Sequence, residues 1–442
     1  MFREKIVLIP YEVESRDYKS RLLLSFFLAQ AGFRVIFGRK AEVEYFTRCF
    51  SNSIYIGLQS TNTYLNFYKK VKLNNNKLIL FDEEGLVTLS KKTYLKTKFS
   101  KKIARICDIF FCWGQESYKF LSLNRKDFKK KLVISGNLRF DILKKRFNFL
   151  NKKNSDFIKK KFRSYILVTC SFGNVNHYNA KYEKISFLQK NHYLNDTQSV
   201  KNYKYYLKYN KKKFLQNRIL VKYLAEKFKD LNIIIRPHPS ENLKSYLDLK
   251  KKFSNVHISN EFSIAEWLKW SKLNIHYYCT TSLEASAMGV ENLAFKPDFD
   301  SKNFVNIPYL FSHKIDNLHD VEKFVKKILK KKNKIKRKKQ IENHIYNFYA
   351  KYSYKIIINE IKKISNKINN KQDNYQSKIN LFKKKLLNLK FLLKNFGNYT
   401  DYKASNLSYA KIKNDLMNFK GESKKKINVS KFQKNVFEIF VS

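Results

Sequence analysis

Short apolar runs, each followed by a longer helical pattern, recur from the first residues of this 442-residue chain and restrict its fold more than any other feature. Lys5–Ile9, Phe33–Phe37, Ser53–Ile56, Leu78–Phe81, Ile109–Cys112 and Leu132–Ile134 read as strands, and Lys19–Gln30 as a helix closed by Gly32. The intervals are too long for hairpins, so the strands must be joined by crossovers. That requires a parallel sheet covered by helices on both faces. The pattern stops near Asp141, and residues 144–163, rich in Lys and Asn, suit a linker and a helix. It then restarts at Tyr165–Thr169 and continues through Asn232–Ile235, Val256–Ile258, Leu273–Ile275 and Asn292–Ala294. The expectation is an α/β chain of two doubly wound, Rossmann-like domains, 1–143 and 144–335. A long insertion, Tyr178–Asp230, is expected to be helical, and residues 336–442 to form a basic helical extension, partly disordered beyond Ser365.

Charge narrows the partners less than its size suggests. Ninety-one Lys and Arg against 36 Asp and Glu give a formal net charge of +55, which favours polyanions. Lys rises together with Asn, Ile, Tyr and Phe while Gly and Pro are scarce, the signature of compositional drift rather than of one binding face. No nucleic-acid reader motif occurs, and the aromatics follow strand and helix patterns, so a specific nucleic-acid partner is not expected. The densest run, Lys330–Lys339, reads as a solvated linker or helix face, with an anion site as the alternative. Cys49, Cys107, Cys112, Cys170 and Cys279 are odd in number and lack zinc spacing, which points to buried thiols in a reducing cytoplasm. The N-terminus lacks a signal-peptide pattern, and the longest apolar stretch, Leu22–Ala29, is far short of the ~20 residues that cross a bilayer. Any membrane role must therefore be peripheral.

Ligands of open α/β sheets bind beyond the carboxyl ends of the strands, which directs attention to the loops there. Arg236-Pro-His-Pro-Ser-Glu241 follows one strand; its prolines stiffen a loop that carries a guanidinium and an imidazole suited to a pyrophosphate, a surface turn in which His238 only hydrogen-bonds a neighbour being the alternative. Thr280, Thr281 and Ser282 open a short helix that ends at Gly289, so its N-terminus offers amide donors to a phosphate, with Glu284 placed for a ribose diol or for helix-dipole compensation. Ser171 and Gly173, after the first strand of the second domain, would let backbone approach a ligand. In the first domain, carboxylates concentrate in Pro10–Asp17 and Asp82–Gly85. Glu14 and Glu83 are the candidates for activating an acceptor hydroxyl, and salt bridges to the many lysines are the competing explanation. Asp298-Phe-Asp300 has the form of a metal-binding D-x-D, but it follows a Lys-Pro pair and reads as a turn, so no metal site is expected.

Taken in order, Ile9–Asp17, Phe81–Gly85, Trp113–Glu116, Gly136–Asp141, Arg236–Pro239, Thr280–Ala285 and Phe304–Pro308 resemble a family of bacterial surface-carbohydrate biosynthesis proteins. That family is itself similar to GT-B glycosyltransferases and to CDP-glycerol glycerophosphotransferases. The resemblance spans about residues 1–315 and implies a GT-B-like fold whose two domains face a cleft. It implies a second domain holding a nucleotide diphosphate through Arg236, His238, Thr280, Thr281 and Ser282, with Glu284 on the ribose, and a first domain holding the acceptor. Asn137 and Arg139 are then structural residues at the crossover. The expected activity is metal-independent transfer of a sugar from a nucleotide-activated donor to a surface polysaccharide or lipid-linked glycan precursor. No cofactor is expected beyond the nucleotide-sugar or CDP-polyol donor substrate. Transfer of a polyol phosphate from a CDP-activated donor, with His238 as acid or base, is the alternative enzyme. A basic nucleic-acid-binding protein or a nonenzymatic scaffold is the alternative outside enzymes. Lys330–Lys339 and the lysine-rich tail are expected to hold the protein to anionic lipid at the inner face of the membrane.

Overall fold

The computed structural model describes residues 5–86, 94–95, 98–179, 184–190, 194, 196–297, 306–330, 341–369, 378–392, 404–423 and 425–441. The chain divides into two compact units, one of residues 1–86, 90–150 and 338–442 and the other of 87–89 and 151–337.

In the first unit the apolar runs form β1 (Lys5–Tyr11), β2 (Phe33–Arg39), the two-residue β3 (Phe50–Ser51), β4 (Ile54–Gly57), β5 (Lys77–Leu80), β6 (Ile109–Cys112) and β7 (Leu132–Ile134). All but β3 pair parallel in the order β2-β1-β4-β5-β6-β7. Their residues are buried on both faces, as helix-covered parallel strands must be. Helix α1 (Lys19–Gln30) packs Leu22, Leu23, Phe26 and Ala29 on one face of the sheet and ends where Gly32 takes a φ of +87°.

The second unit repeats the plan with β8 (Tyr165–Thr169), β9 (Asn232–Arg236), β10 (Val256–Ile258), β11 (Leu273–His276), β12 (Glu291–Phe295) and β13 (His313–Ile315). These six are parallel in the order β10-β9-β8-β11-β12-β13. Between β8 and β9 runs the 31-residue helix α2 (Thr197–Lys227), capped by Asp196, which makes the expected helical insertion. Its C-terminal half buries Leu220, Val221 and Leu224 against the sheet. Helix α3 (Thr281–Ala287) follows β11, and Gly289 behind it has a φ of +76°.

The C-terminal residues depart from the expected helical extension. After α4 (Ser353–Asn369), the pair β14 (Lys378–Ile379) lies antiparallel to β3, and α5 (Leu381–Leu392) precedes a hairpin of β15 (Ile427–Gln433) and β16 (Val436–Val441). Strand β16 pairs antiparallel with β2 and extends the first sheet to eight strands, β15-β16-β2-β1-β4-β5-β6-β7. Residues 338–442 are thus part of the first unit, not an appendage. Phe437 and Ile439 enter its core beside Val35 and Phe37, and α4 adds Ile357 and Ile361. Gly38 is required where it stands, because a Cβ there would collide with the Asn435 carbonyl of the hairpin turn. Asn435 holds that turn with a φ of 59°, its Oδ1 accepting from the Leu407 amide at 2.8 Å and its Nδ2 donating to Glu42 at 2.9 Å.

Candidate functional site

The strand order of the second unit turns back on itself between β8 and β11, the place where open α/β sheets bind ligands. Thr169 and His276 are register partners at the carboxyl ends of those two strands, so the loops that leave them start side by side.

One buried carboxylate holds two of the expected loops together. Glu241 is fully buried and accepts from the amides of Phe172 (2.8 Å) and His238 (3.1 Å), from the Tyr246 hydroxyl (2.5 Å) and from Asn176 Nδ2 (3.4 Å). Burial pushes its pKa up, and these donors pull it back. The result joins residues 170–176 to residues 236–241. Gly173 lies so close to the second loop that a Cβ on it would overlap Ser240 Oγ. His238 is exposed, and its Nδ1 accepts from the Ser240 amide at 3.2 Å and lies 2.8 Å from Ser240 Oγ. While Nδ1 accepts this amide, the ring proton sits on Nε2. Ser171 Oγ is enclosed with no hydrogen-bond partner among the described residues.

The third loop meets the first through the Phe172 and Tyr277 rings, 5.7 Å apart. Cys279, half-buried where a sealed thiol is expected, has its sulfur 3.2 Å from Thr281 Oγ1, whereas Cys49, Cys107, Cys112 and Cys170 are buried. Thr280 occupies the cap position of α3 without a side-chain cap bond, and α3 has only seven residues.

Two expected diphosphate ligands point elsewhere. Arg236 is buried and spends its guanidinium on main-chain carbonyls, Nη1 on Ser259 (3.2 Å) and Glu261 (2.7 Å), Nη2 on Phe262. Burial pulls this guanidinium down to about 10, against the attraction of Glu266, Glu284 and Glu261. It clamps the loop after β10, and the buried Glu266 and Glu284 offset its charge, Glu266 the more strongly. Ser282 is fully buried, with Oγ donating to the carbonyls of Cys279 (3.1 Å) and Pro308 (3.2 Å). The sequence reading leaves both exposed because nothing in a post-strand motif distinguishes a side chain that faces a ligand from one that closes its own loop.

Helix α2 supplies residues that sequence reasoning misses. Tyr206, Asn210, Lys213 and Asn217 recur at helical spacing and form a polar stripe continuing the apolar one at Leu220 and Leu224. Asn217 Nδ2 lies 3.6 Å from Cys170 Sγ, Asn210 Oδ1 accepts from the Tyr278 hydroxyl, and Asn174 Nδ2 donates to Tyr206 at 3.3 Å. Lys213, 2% exposed, stands 4.8 Å over the Tyr209 ring. The stripe therefore covers the loops after both β8 and β11. The signal available in the sequence is the recurrence of Tyr206, Asn210, Lys213 and Asn217 at helical spacing, in line with Leu220 and Leu224.

His276, at the tip of β11, is also missed. It is fully buried, with Nε2 2.7 Å from Ser312 Oγ and no partner for Nδ1 among the described residues, and burial drives its pKa down to about 3.

The first-unit carboxylates are tied into the structure. Glu83 is buried in an ion pair with Arg21, accepts from Asn137 Nδ2 at 3.0 Å, and is held below the usual carboxylate range by Arg21 and Asn137 despite its burial. Glu14 accepts from the amide of Ser405 (3.0 Å) and pairs with Lys411, fastening residues 405–411. Neither contact set leaves a carboxylate poised for an acceptor hydroxyl. Burial lifts the Glu44 carboxyl to about 7, against the attraction of Lys40, and Tyr55 donates to it at 3.2 Å. The other shared motifs receive the C-terminal chain: the Trp113 carbonyl accepts from the Tyr346 amide at 2.8 Å, and Gly136 has no room for a Cβ beside Asn347. Asn137 is buried in that junction, as a structural role requires. Asp298, Asp300 and the run 331–339 lie outside the described residues, as do the first two residues of Phe304–Pro308. Among the described residues no group of three His, Cys, Asp or Glu side chains is arranged to hold a metal ion, and no helix is long and apolar enough to cross a membrane.

Two doubly wound sheets, each with six parallel strands in this order, define a pair of Rossmann-like units of the GT-B type. The same fold occurs in S. aureus MnaA, solved in a co-structure with UDP, at a TM-score of 0.51 and 12% identity over 82% of this chain and 97% of that one. It occurs also in a Listeria monocytogenes protein provisionally assigned as UDP-N-acetylglucosamine 2-epimerase, with a TM-score of 0.51 and 12% identity over 83% and 97% of the two chains. The wall teichoic acid polymerase TagF aligns at a TM-score of 0.46 and 14% identity over 82% and 89%. The first two of these similarities bear out the GT-B-like class expected from the serial motifs, at the level of fold. No protein-family model matches the chain, and no curated protein matches it.

Proposed function

We propose that the loops at the β8/β11 switch point bind the diphosphate of a nucleotide-activated sugar, and that the chain transfers this sugar to a surface polysaccharide or lipid-linked glycan precursor. One observation carries the reading: the buried Glu241 pins the loops of Gly173 and His238 against each other, beside the Thr280–Thr281 loop, where the sheet order reverses. The Nε2–H of the exposed His238 and the hydroxyls of Thr280 and Thr281 are donors of the kind a diphosphate needs. Arg236 and Ser282 act behind them as supports. The UDP in the S. aureus MnaA co-structure supports a nucleotide as the ligand class.

Calorimetric titration with UDP, CDP, GDP and CMP tests the site. The wild type should bind at least one diphosphate, and His238→Ala with Thr281→Val should abolish that binding. If the double variant binds as well as the wild type, the assignment is wrong. Transfer of a polyol phosphate from a CDP-activated donor is the second reading, favoured by this His238 tautomer, which presents a proton to a leaving group. Analysis of the product for a phosphodiester or a glycosidic bond separates the two.

A further inference from the structure

Helix α5 is apolar on two opposite sides. Leu387 and Phe391, 5% and 8% exposed, dock it on the first unit, where the Phe391 ring stands 5.4 Å from Phe46. The outward side carries Phe382 (79% exposed), Leu389 (66%), Leu381 (65%) and Leu386 (43%). At 100° per residue these four fall within an arc of about 140°. Lys385 lies inside that arc and Lys390 just beyond it, both exposed. From Asn374 to Thr400 the sequence contains six lysines and neither Asp nor Glu.

We infer that this outward face of α5 is a membrane-docking surface that inserts Leu381, Phe382, Leu386 and Leu389 among the acyl chains of an anionic bilayer. Lysines interleaved with the apolar residues choose this occupant over a second copy. Across a two-fold contact Lys385 and Lys390 would face their own equivalents, whereas at a bilayer their stems lie along the apolar boundary and their ammonium groups reach the phosphates. Twelve residues make a helix about 18 Å long, suited to lying in the interface and too short to span. The expectation of membrane attachment through Lys330–Lys339 and the tail thus acquires a defined element, on which apolar insertion adds to charge. The inference stands on this surface alone: a chain that binds UDP but no vesicles refutes it and leaves the proposed function intact.

Co-flotation of the full-length protein with vesicles of phosphatidylcholine, with and without phosphatidylglycerol, tests it. Binding should require the anionic lipid, and Phe382→Ser with Leu389→Ser should weaken it at least about tenfold, since each side chain forfeits its apolar transfer. Lys385→Gln with Lys390→Gln should weaken it by about fivefold or more, and less so in high salt. In Phe382→Trp the indole emission should shift to the blue on adding anionic vesicles. Both serine positions are exposed, so circular dichroism of that variant should match the wild type. Undiminished flotation of the serine variant overturns the inference. So does an emission in Phe382→Trp that is already blue and indifferent to vesicles, or loss of a dimer in the serine variant by light scattering.

Discussion

Replacing Glu241 with alanine should loosen the second unit and its binding site together. The buried carboxylate takes hydrogen bonds from two main-chain amides and a phenol at 2.5–3.1 Å, and a long one from Asn176. Alanine leaves those three short-range donors in a dry site, where each orphaned group costs about 1–3 kcal/mol. Local collapse and entering water recover part of this, so the expected loss is about 4 kcal/mol, a large share of the 5–15 kcal/mol that holds a domain folded. Glu241→Gln keeps one oxygen for two donors and turns an NH2 toward the other two, so about 2 kcal/mol should be lost. Hydrogen exchange reads the effect where it arises. The Phe172 and His238 amides should lose protection by about two to three orders of magnitude in Glu241→Ala, at 1.4 kcal/mol per tenfold, while amides of β1 and β4 stay unchanged. Urea unfolding should show the second unit melting earlier and the first unit where it was. If both amides exchange at the wild-type rate, Glu241 does not pin the loops and the geometry of the site needs another cause.

His276 is buried neutral with a pKa of about 3, below the ~6.5 of an unfolded histidine. The unfolded chain therefore takes up a proton that the folded chain refuses, and stability falls as pH drops below 6.5; about 2 kcal/mol should go between pH 6.5 and 5, read by urea titration, and His276→Gln should remove that slope. Truncation after Arg337 should yield insoluble protein, because it strips β16 from β2 and α4 from the core; a soluble, monomeric 1–337 fragment with native dichroism would contradict the assignment of 338–442 to the first unit.

Much of the architecture is legible before any coordinates. Strands buried on both faces are near-continuous apolar runs, and Ile109–Cys112, Leu132–Ile134, Tyr165–Thr169 and Val256–Ile258 fall where the sequence puts them. The two glycines expected to close helices, Gly32 and Gly289, both take positive φ. The C-terminal hairpin escapes because its outer strand, Ile427–Gln433, is a half-exposed edge in a lysine-rich stretch, and its register depends on β2, about 400 residues away in sequence. Val436–Val441 carries a strand pattern that average tail composition conceals. For the site, strand order tells which loops converge, and the motifs lie on those loops. Side-chain direction is not encoded at that level. Arg236 and Ser282 turn inward because carbonyls of residues 259–262, 279 and 308 need donors, a demand set by distant chain. Glu241 closes its motif in the sequence, yet its role appears only once the amides of Phe172 and His238 are seen to converge on it.

A structure of the full-length chain soaked with UDP addresses the central claim most directly. The diphosphate should lie against residues 238–240 and 279–281, within hydrogen-bond distance of His238 Nε2 and at least one of Thr280 or Thr281. A nucleotide seated away from the β8/β11 switch point, or a chain that takes up none at saturating concentration, would contradict it.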